Sequence, residues 1–253
     1  SDRISGITNG IDQTVWNPKT DTKLAANYDA KSWQQGKLAN KRALQQQFAL
    51  EQSDEVPMIG LVGRLAEQKG WDLILPVLRW HLRENRPTQW IVLGSGDAQF
   101  EQELRALKEE HPDRFALHVG FSDMLAHRIE AGSDIFVMPS HYEPCGLNQL
   151  YSIRYGTIPV VTPTGGLADT VVDCNEISLA DETATGFHLH AISPQGLDDA
   201  IGRALHLRYH HPQQWAKLIE TGMAQDWSWK KSAMEYESLY AKTLALKSAT
   251  KRT

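Results

Sequence analysis

Between Val56 and Thr162 the chain repeats one pattern: a short apolar run, then a longer stretch with helical periodicity. The runs are MIGLV (58–62), WIVLG (90–94), FALHV (115–119), DIFVMP (134–139) and IPVVT (158–162). Runs that do not alternate with polar residues are expected of strands covered on both faces, as in a parallel sheet. The stretches at 71–84, 99–110, 122–132 and 146–156 are long enough for the right-handed crossovers that parallel strands require. The expectation is an α/β fold with a Rossmann-like, doubly wound parallel sheet. Several runs end in Gly, Pro, Ser or Thr, which crowds small residues at the carboxyl edge, where open α/β sheets bind ligands.

The flanks read differently. Residues 1–55 carry an Asn9-Gly10 turn signal, a loop around Asn17-Pro18 and a polar helix near 36–49, and are expected to pack on the core. Residues 56–210 form the core domain, including a helix at 193–208; residues 211–247 read as two helices and 248–253 as a tail. With 26 basic and 31 acidic residues, the net charge of −5 removes the electrostatic case for a nucleic-acid binder. No run approaches 18 consecutive apolar residues, so no membrane-spanning helix is expected, and the first residues show no targeting leader. Two cysteines, Cys145 and Cys174, make no disulfide framework, which points to a reducing compartment.

Chemistry-bearing residues gather at the run-to-helix junctions. GRLAEQKG frames Arg64 and Lys69 between Gly63 and Gly70. An arginine can grip phosphate bidentately and a lysine supplies a compact charge, so the pair suits a diphosphate; two solvated surface charges are the alternative. GSGD places Gly94 and Gly96 where the backbone can approach a ligand or merely a neighbour, and it does not continue into a dinucleotide fingerprint. Phe121, after Val119-Gly120, either stacks on a nucleobase or is an ordinary core phenylalanine.

The densest segment is PSHYEPCGLNQLYSIRYG, residues 139–156. Pro144 keeps Glu143 out of a helix, which is expected to begin near Gly146. The amides of Gly146, Leu147 and Asn148 would then form an anion site helped by the helix dipole. Glu143 would repel phosphate, and suits sugar hydroxyls better. TGGLADTV brings Thr164, Gly165 and Gly166 to the next strand exit, either for a ligand or as a turn, with Asp169 capping or steadying the following helix. Cys145 is a low-pKa thiolate candidate or a small packing residue, with His141 the histidine close in sequence. His188 and His190 share a strand face but lack a third ligand, so no metal site is expected.

GITNGID, GRLAEQKG, GSGD, VGF, EPCGLNQLY and PTGGLADTV occur here in an order and spacing that resembles bacterial glycogen synthases and plant or algal starch synthases, glycosyltransferase family 5. The likeness runs over nearly all of residues 1–247, and EPCGLNQLY with TGGLADTV is its most specific part. It implies the C-terminal, donor-binding half of a two-domain GT-B enzyme. Such enzymes are retaining, and move glucose from ADP-glucose to the non-reducing end of an α-1,4-glucan. The resemblance assigns Arg64 and Lys69 to the diphosphate of ADP, Glu143 to the donor glucose and the Gly146 to Asn148 amides to the distal phosphate. Cys145 stands within the same EPCG motif. Phe121 falls near the adenine, Thr164 to Gly166 beside the donor phosphates, and Asn9 in the interdomain segment near the cleft.

Related transferases often carry a ribose-binding glutamate where this chain has Tyr151, a change that the glycogen and starch synthases share. The family's N-terminal half, with its KTGGL loop and acceptor groove, is not in this sequence. The chain is therefore expected to be an isolated domain or one piece of a longer polypeptide. ADP-glucose and ADP are substrate and product, with no cofactor; a bacterial cytoplasm or plastid stroma is the implied compartment. A transferase using a UDP- or GDP-sugar, and a nucleotide- or glucan-binding module without activity, stay open as alternatives.

Overall fold

A computed structural model describes residues 4–250. An irregular stretch leads into α1 (Trp33–Phe48), and then a regular alternation begins. It runs β1 (Met58–Val62), α2 (Trp71–Arg83), β2 (Gln89–Gly94), α3 (Ala98–Glu110), β3 (Phe115–Val119), α4 (Asp123–Gly132) and β4 (Ile135–Met138). After these come α5 (Asn148–Arg154), β5 (Ile158–Val161), α6 (Gly165–Thr170), α7 (Glu176–Ala180) and β6 (Phe187–His188). Three helices close the chain: α8 (Pro194–His210), α9 (Pro212–Met223) and α10 (Trp229–Thr250). Of the expected tail at 248–253, residues 251–253 lie outside the described residues, as do residues 1–3.

The six strands form one parallel sheet in the order β3-β2-β1-β4-β5-β6. This is the doubly wound α/β fold, with its chain reversal between β1 and β4. Alternate residues feed opposite layers. Ile59, Leu61, Trp90, Val92, Ile135 and Val137 enter one core cluster, and Met58, Ile91, Leu93, Phe136 and Met138 the other. A strand buried on both sides must be apolar at every position, which is why the runs carry no alternation. Local signals set the helix starts. Asp97, Ser122 and Ser193 accept amide hydrogen bonds at the N-termini of α3, α4 and α8, and Pro194 occupies the first turn of α8.

Three local expectations are corrected. The helix of the EPCG segment begins at Asn148 and has 7 residues. Gly146 and Leu147 therefore belong to the loop, and the dipole of a short helix contributes little. Asp169 caps nothing, because GGLADT is itself α6; Asn175 caps the next helix with a reciprocal capping box. His190 lies beyond the two-residue β6, facing Asp173 at 3.6 Å.

The N-terminal segment is bound down by aromatic stacking. Trp16 lies between His127 (ring centroids 3.7 Å apart, planes at 10°) and Tyr151 (3.6 Å, 8°). Beneath it, Asp21 accepts from the Tyr155 hydroxyl at 2.7 Å and lies 2.6 Å from His127 Nδ1. Burial, against the pull of Asp21, keeps His127 below its usual range.

A buried acid gives this layer a pH signature. Glu130 on α4 accepts from the Ser152 hydroxyl at 2.7 Å, and burial pushes its carboxyl up to about 8 from the usual 4.5. Lys37 donates to the carbonyls of Ala131 and Tyr155 and to Thr157 Oγ1, and burial presses it down to about 7. With the folded carboxyl holding its proton between about pH 5 and 8, this group binds more protons in the folded state than in the unfolded one, and its contribution to stability falls as pH rises. Between about pH 5 and 7, below the titration of Lys37, Glu130→Gln should flatten a slope of up to about 1.4 kcal/mol per pH unit. Urea unfolding at several pH values checks it; an unchanged slope would reject the buried-acid assignment.

Candidate functional site

The chain reversal between β1 and β4 opens a small cavity of about 70 Å³ at the carboxyl edge, lined in part by Val62, Gly63, Arg64, Lys69, Ser140 and Asn148. A larger cleft of about 580 Å³ lies elsewhere, between α1 and α9, with Asp134, just before β4, in its lining. There Asp134 sits 3.0 Å from Lys41 and 3.4 Å from Arg208. Position relative to the strand ends favours the smaller cavity.

The loop after β1 contains one 3₁₀ turn, Glu67–Lys69, and docks on the strap 139–146. The Gln68 carbonyl accepts from the His141 amide at 3.0 Å, and Gln68 Nε2 donates to the Tyr142 carbonyl. Gln68 Oε1 accepts from Arg64 Nη2 at 3.1 Å, holding an otherwise exposed guanidinium. Lys69 Nζ stands 2.5 Å from Glu143 Oε2, and the Ser140 hydroxyl donates to the same oxygen at 3.4 Å. Glu143 is 8% exposed, and a carboxylate so buried needs a counter-charge, which Lys69 supplies. Sequence reasoning placed Lys69 and Glu143 in one site and missed that they pair. It also missed Gln68, whose signal was a polar residue one position before the motif lysine.

Behind the strap sits the TGG turn. Gly166 donates its amide to the Glu143 carbonyl at 3.1 Å. A Cβ on Gly166 would lie 2.2 Å from the Cys145 carbonyl oxygen, and one on Gly165 would lie 2.1 Å from that of Glu143. These glycines exist for backbone-to-backbone contact. Gly94 and Gly96 resolve the same way: a Cβ on either would strike the carbonyl of Gly63 or Leu65, so they approach a neighbouring loop. At Gly63 a Cβ would meet nothing within 4 Å, which leaves that position facing open space.

The Asn148 side chain donates to the Val62 carbonyl at 2.6 Å, tying α5 to the end of β1. Among the described residues, the amides of Gly146, Leu147 and Asn148 find neither a backbone nor a side-chain acceptor. The Asn9 amide donates to Cys145 Sγ at 3.4 Å, which brings the N-terminal segment to the back of the strap. His141 pairs with Asp72 at 2.8 Å, so the histidine nearest Cys145 in sequence is engaged elsewhere. Thr164 is half-buried at the head of α6. Phe121 is corrected from the core alternative: it is 90% exposed at the outer end of the edge, apart from the cavity lining. Tyr151 gives its ring to Trp16, and burial raises its hydroxyl.

The site thus offers two cations on one loop, amides without an acceptor among the described residues on the next, and a carboxylate paired with one of the cations. That set can bind a diphosphate beside a polyhydroxylated group. Among the described residues, no group of three His, Cys, Asp or Glu side chains is placed to hold a metal ion, and no helix is long and apolar enough to cross a membrane.

Residues 43–221 match the family described as glycosyl transferases group 1. Over 243 residues the chain is 60% identical to a glycogen synthase of Rhodopirellula baltica, covering 96% of this chain and 48% of that protein. It is 50% identical over 237 residues to a glycogen synthase of Thioalkalivibrio sulfidiphilus, covering 94% of this chain and 48% of that one. The chain spans about half the length of the curated relatives it matches. Among solved structures, the catalytic domain of starch synthase IV from Arabidopsis thaliana, bound to ADP and acarbose, superposes with a TM-score of 0.86 at 36% identity. That match covers 94% of this chain and 48% of the other. Anabaena HepE in complex with UDP-glucose shares the fold, with a TM-score of 0.66 at 17% identity over 94% of this chain and 57% of the other.

Proposed function

The chain belongs to the glycosyl transferases group 1 family, and from that premise we propose that it is the donor-binding half of a retaining glucosyltransferase of glycogen or starch synthesis. The donor is ADP-glucose, the product ADP, and the acceptor the non-reducing end of an α-1,4-glucan held mainly by a second domain. The observation that supports this reading is the meeting of Arg64, Lys69 and Asn148 in the cavity at the β1/β4 reversal, with Glu143 2.5 Å from Lys69.

The division of labour follows from charge. As the glucosyl–phosphate bond breaks, negative charge grows on the departing diphosphate. Arg64, Lys69 and the amides of Gly146, Leu147 and Asn148 face that charge and stabilise it, the kind of preorganised electrostatics that can lower a barrier by several kcal/mol. Glu143 accepts hydrogen bonds from sugar hydroxyls and holds the glucosyl ring, while it pairs with Lys69 at 2.5 Å. Gly63, with open space at its Cα, lets the donor lie close to the loop, and Thr164 to Gly166 with Cys145 back the strap. Phe121 offers its exposed ring to the adenine, and Asn9 joins the interdomain segment to the site. The reading calls for no resident cofactor, and places the protein in a bacterial cytoplasm or plastid stroma. Exposed Trp229, Met234, Tyr236 and Tyr240 on α10 supply an apolar surface for the second domain.

The test is titration of the chain with ADP and UDP, in wild type and in Arg64→Ala and Lys69→Ala. Charge-assisted hydrogen bonds contribute about 1.5–3 kcal/mol, so each variant should lose ADP affinity about ten-fold or more. Lys69→Ala should lose more, because it also leaves Glu143 unpaired beside the phosphate. Unchanged ADP affinity in both variants would reject the phosphate role, and preference for UDP would reject the donor.

A further inference from the structure

We propose that Gln149 is the positioning residue that aims the amides of the phosphate cradle, an inference that rests on the donor-site reading above. Gln149 is 0% exposed, in the first turn of α5. Its Nε2 lies 2.9 Å from the Cys145 carbonyl, 3.2 Å from the Gly146 carbonyl and 3.1 Å from Thr170 Oγ1. The Thr170 hydroxyl donates its own proton to the Gly166 carbonyl at 2.6 Å, so toward Gln149 it acts as acceptor. The side-chain amide therefore anchors the strap to α6.

Peptide geometry converts that anchor into function. In a planar trans peptide the C=O and the next N–H point in opposite directions. Holding the Cys145 and Gly146 carbonyls inward turns the Gly146 and Leu147 amides outward, and these are two of the three cradle amides with no acceptor among the described residues. Gly146 makes room for the arrangement. Its φ of +72° lies in the left-handed region, and a Cβ there would come within 2.5 Å of Gln149 Oε1.

The cost of this design identifies its purpose. Among the described residues, Gln149 Oε1 is buried and finds no partner. An unpaired buried acceptor is unfavourable, and an apolar side chain of similar length would fill the space without it. Only the donor nitrogen, working on two carbonyls of the strap, offsets that penalty. Gln149 touches no substrate in this scheme; it acts through the backbone it holds.

The experiment is calorimetric titration of wild type, Gln149→Met and Thr170→Val with ADP, AMP and adenosine. The cradle faces the distal phosphate, so Gln149→Met should lose affinity for ADP by about ten-fold, the scale of a lost hydrogen bond to a charged group, with AMP and adenosine unchanged. Thr170→Val, which removes one anchor, should show a smaller loss confined to ADP. Equal losses on all three ligands would mark a merely structural role and overturn the proposal, as would unchanged ADP binding. Should Gln149→Met not fold, Thr170→Val decides by the same two criteria. A wild-type chain that does not prefer ADP to AMP would overturn the donor-site reading itself, and this proposal with it.

Discussion

Replacing Glu143 with alanine in the full-length glucosyltransferase proposed above should lower kcat by at least about a hundred-fold, because orientation of the reacting group accounts for several kcal/mol of such barriers. The same variant should bind ADP as well as wild type or better. The carboxylate lies 2.5 Å from Lys69 Nζ, so its removal frees that cation for the phosphates and takes away a like charge. Turnover and product affinity should thus move in opposite directions, which a general loss of structure would not produce. Glu143→Gln should be milder, since the amide oxygen still accepts from a sugar hydroxyl and from Lys69. Steady-state rates with ADP inhibition constants measure both quantities. Near-normal turnover in the alanine variant, or a parallel loss of ADP and activity, would end the sugar-positioning role.

A methyl group at position 166 should be nearly as damaging, through a different route. The Cβ of Gly166→Ala would sit 2.2 Å from the Cys145 carbonyl oxygen and 2.4 Å from the Cys145 Cα. Both are backbone atoms, and no rotamer change relieves the overlap. The strap must leave α6, which breaks the hydrogen bond from the Gly166 amide to the Glu143 carbonyl and disturbs the Gln149 anchors. Overpacking of this kind costs about 3 kcal/mol or more, a fall in Tm of about 6 °C or more for a domain of this size. ADP binding should fall with it. For stability alone, Gly63→Ala is the control, since its Cβ meets nothing within 4 Å and surface changes of that kind stay within about 0.5 kcal/mol. Scanning calorimetry distinguishes them; a Gly166→Ala melting curve like wild type would mean that the two loops can separate without loss.

The fold was legible because its information is local and repeated. Each apolar run had to be a strand covered on both faces, each intervening stretch was long enough to cross over, and Asp97, Ser122 and Ser193 capped helices where hydrogen-bond chemistry puts such residues. Arg64, Lys69, Glu143 and the Gly146 amides could be assigned to one edge from the same logic, since parallel strands deliver all their carboxyl ends to one side. What sequence alone left undecided was how those groups face each other. Whether Phe121 was core or surface depended on what packs over the loop beyond β3, an outermost strand, and Phe121 is 90% exposed there. The glycines of GSGD and TGG could not be read as facing ligand or neighbour until loops far apart in sequence stood within contact of them. The Lys69–Glu143 pair, the clamp of Trp16 on Tyr151 and the grip of Gln149 on two carbonyls are contacts set by side-chain direction. Periodicity determines which face a residue occupies; only the packed tertiary structure decides which atoms meet there, because hydrogen bonds and ion pairs vary over tenths of an ångström that a pattern of residue types does not encode.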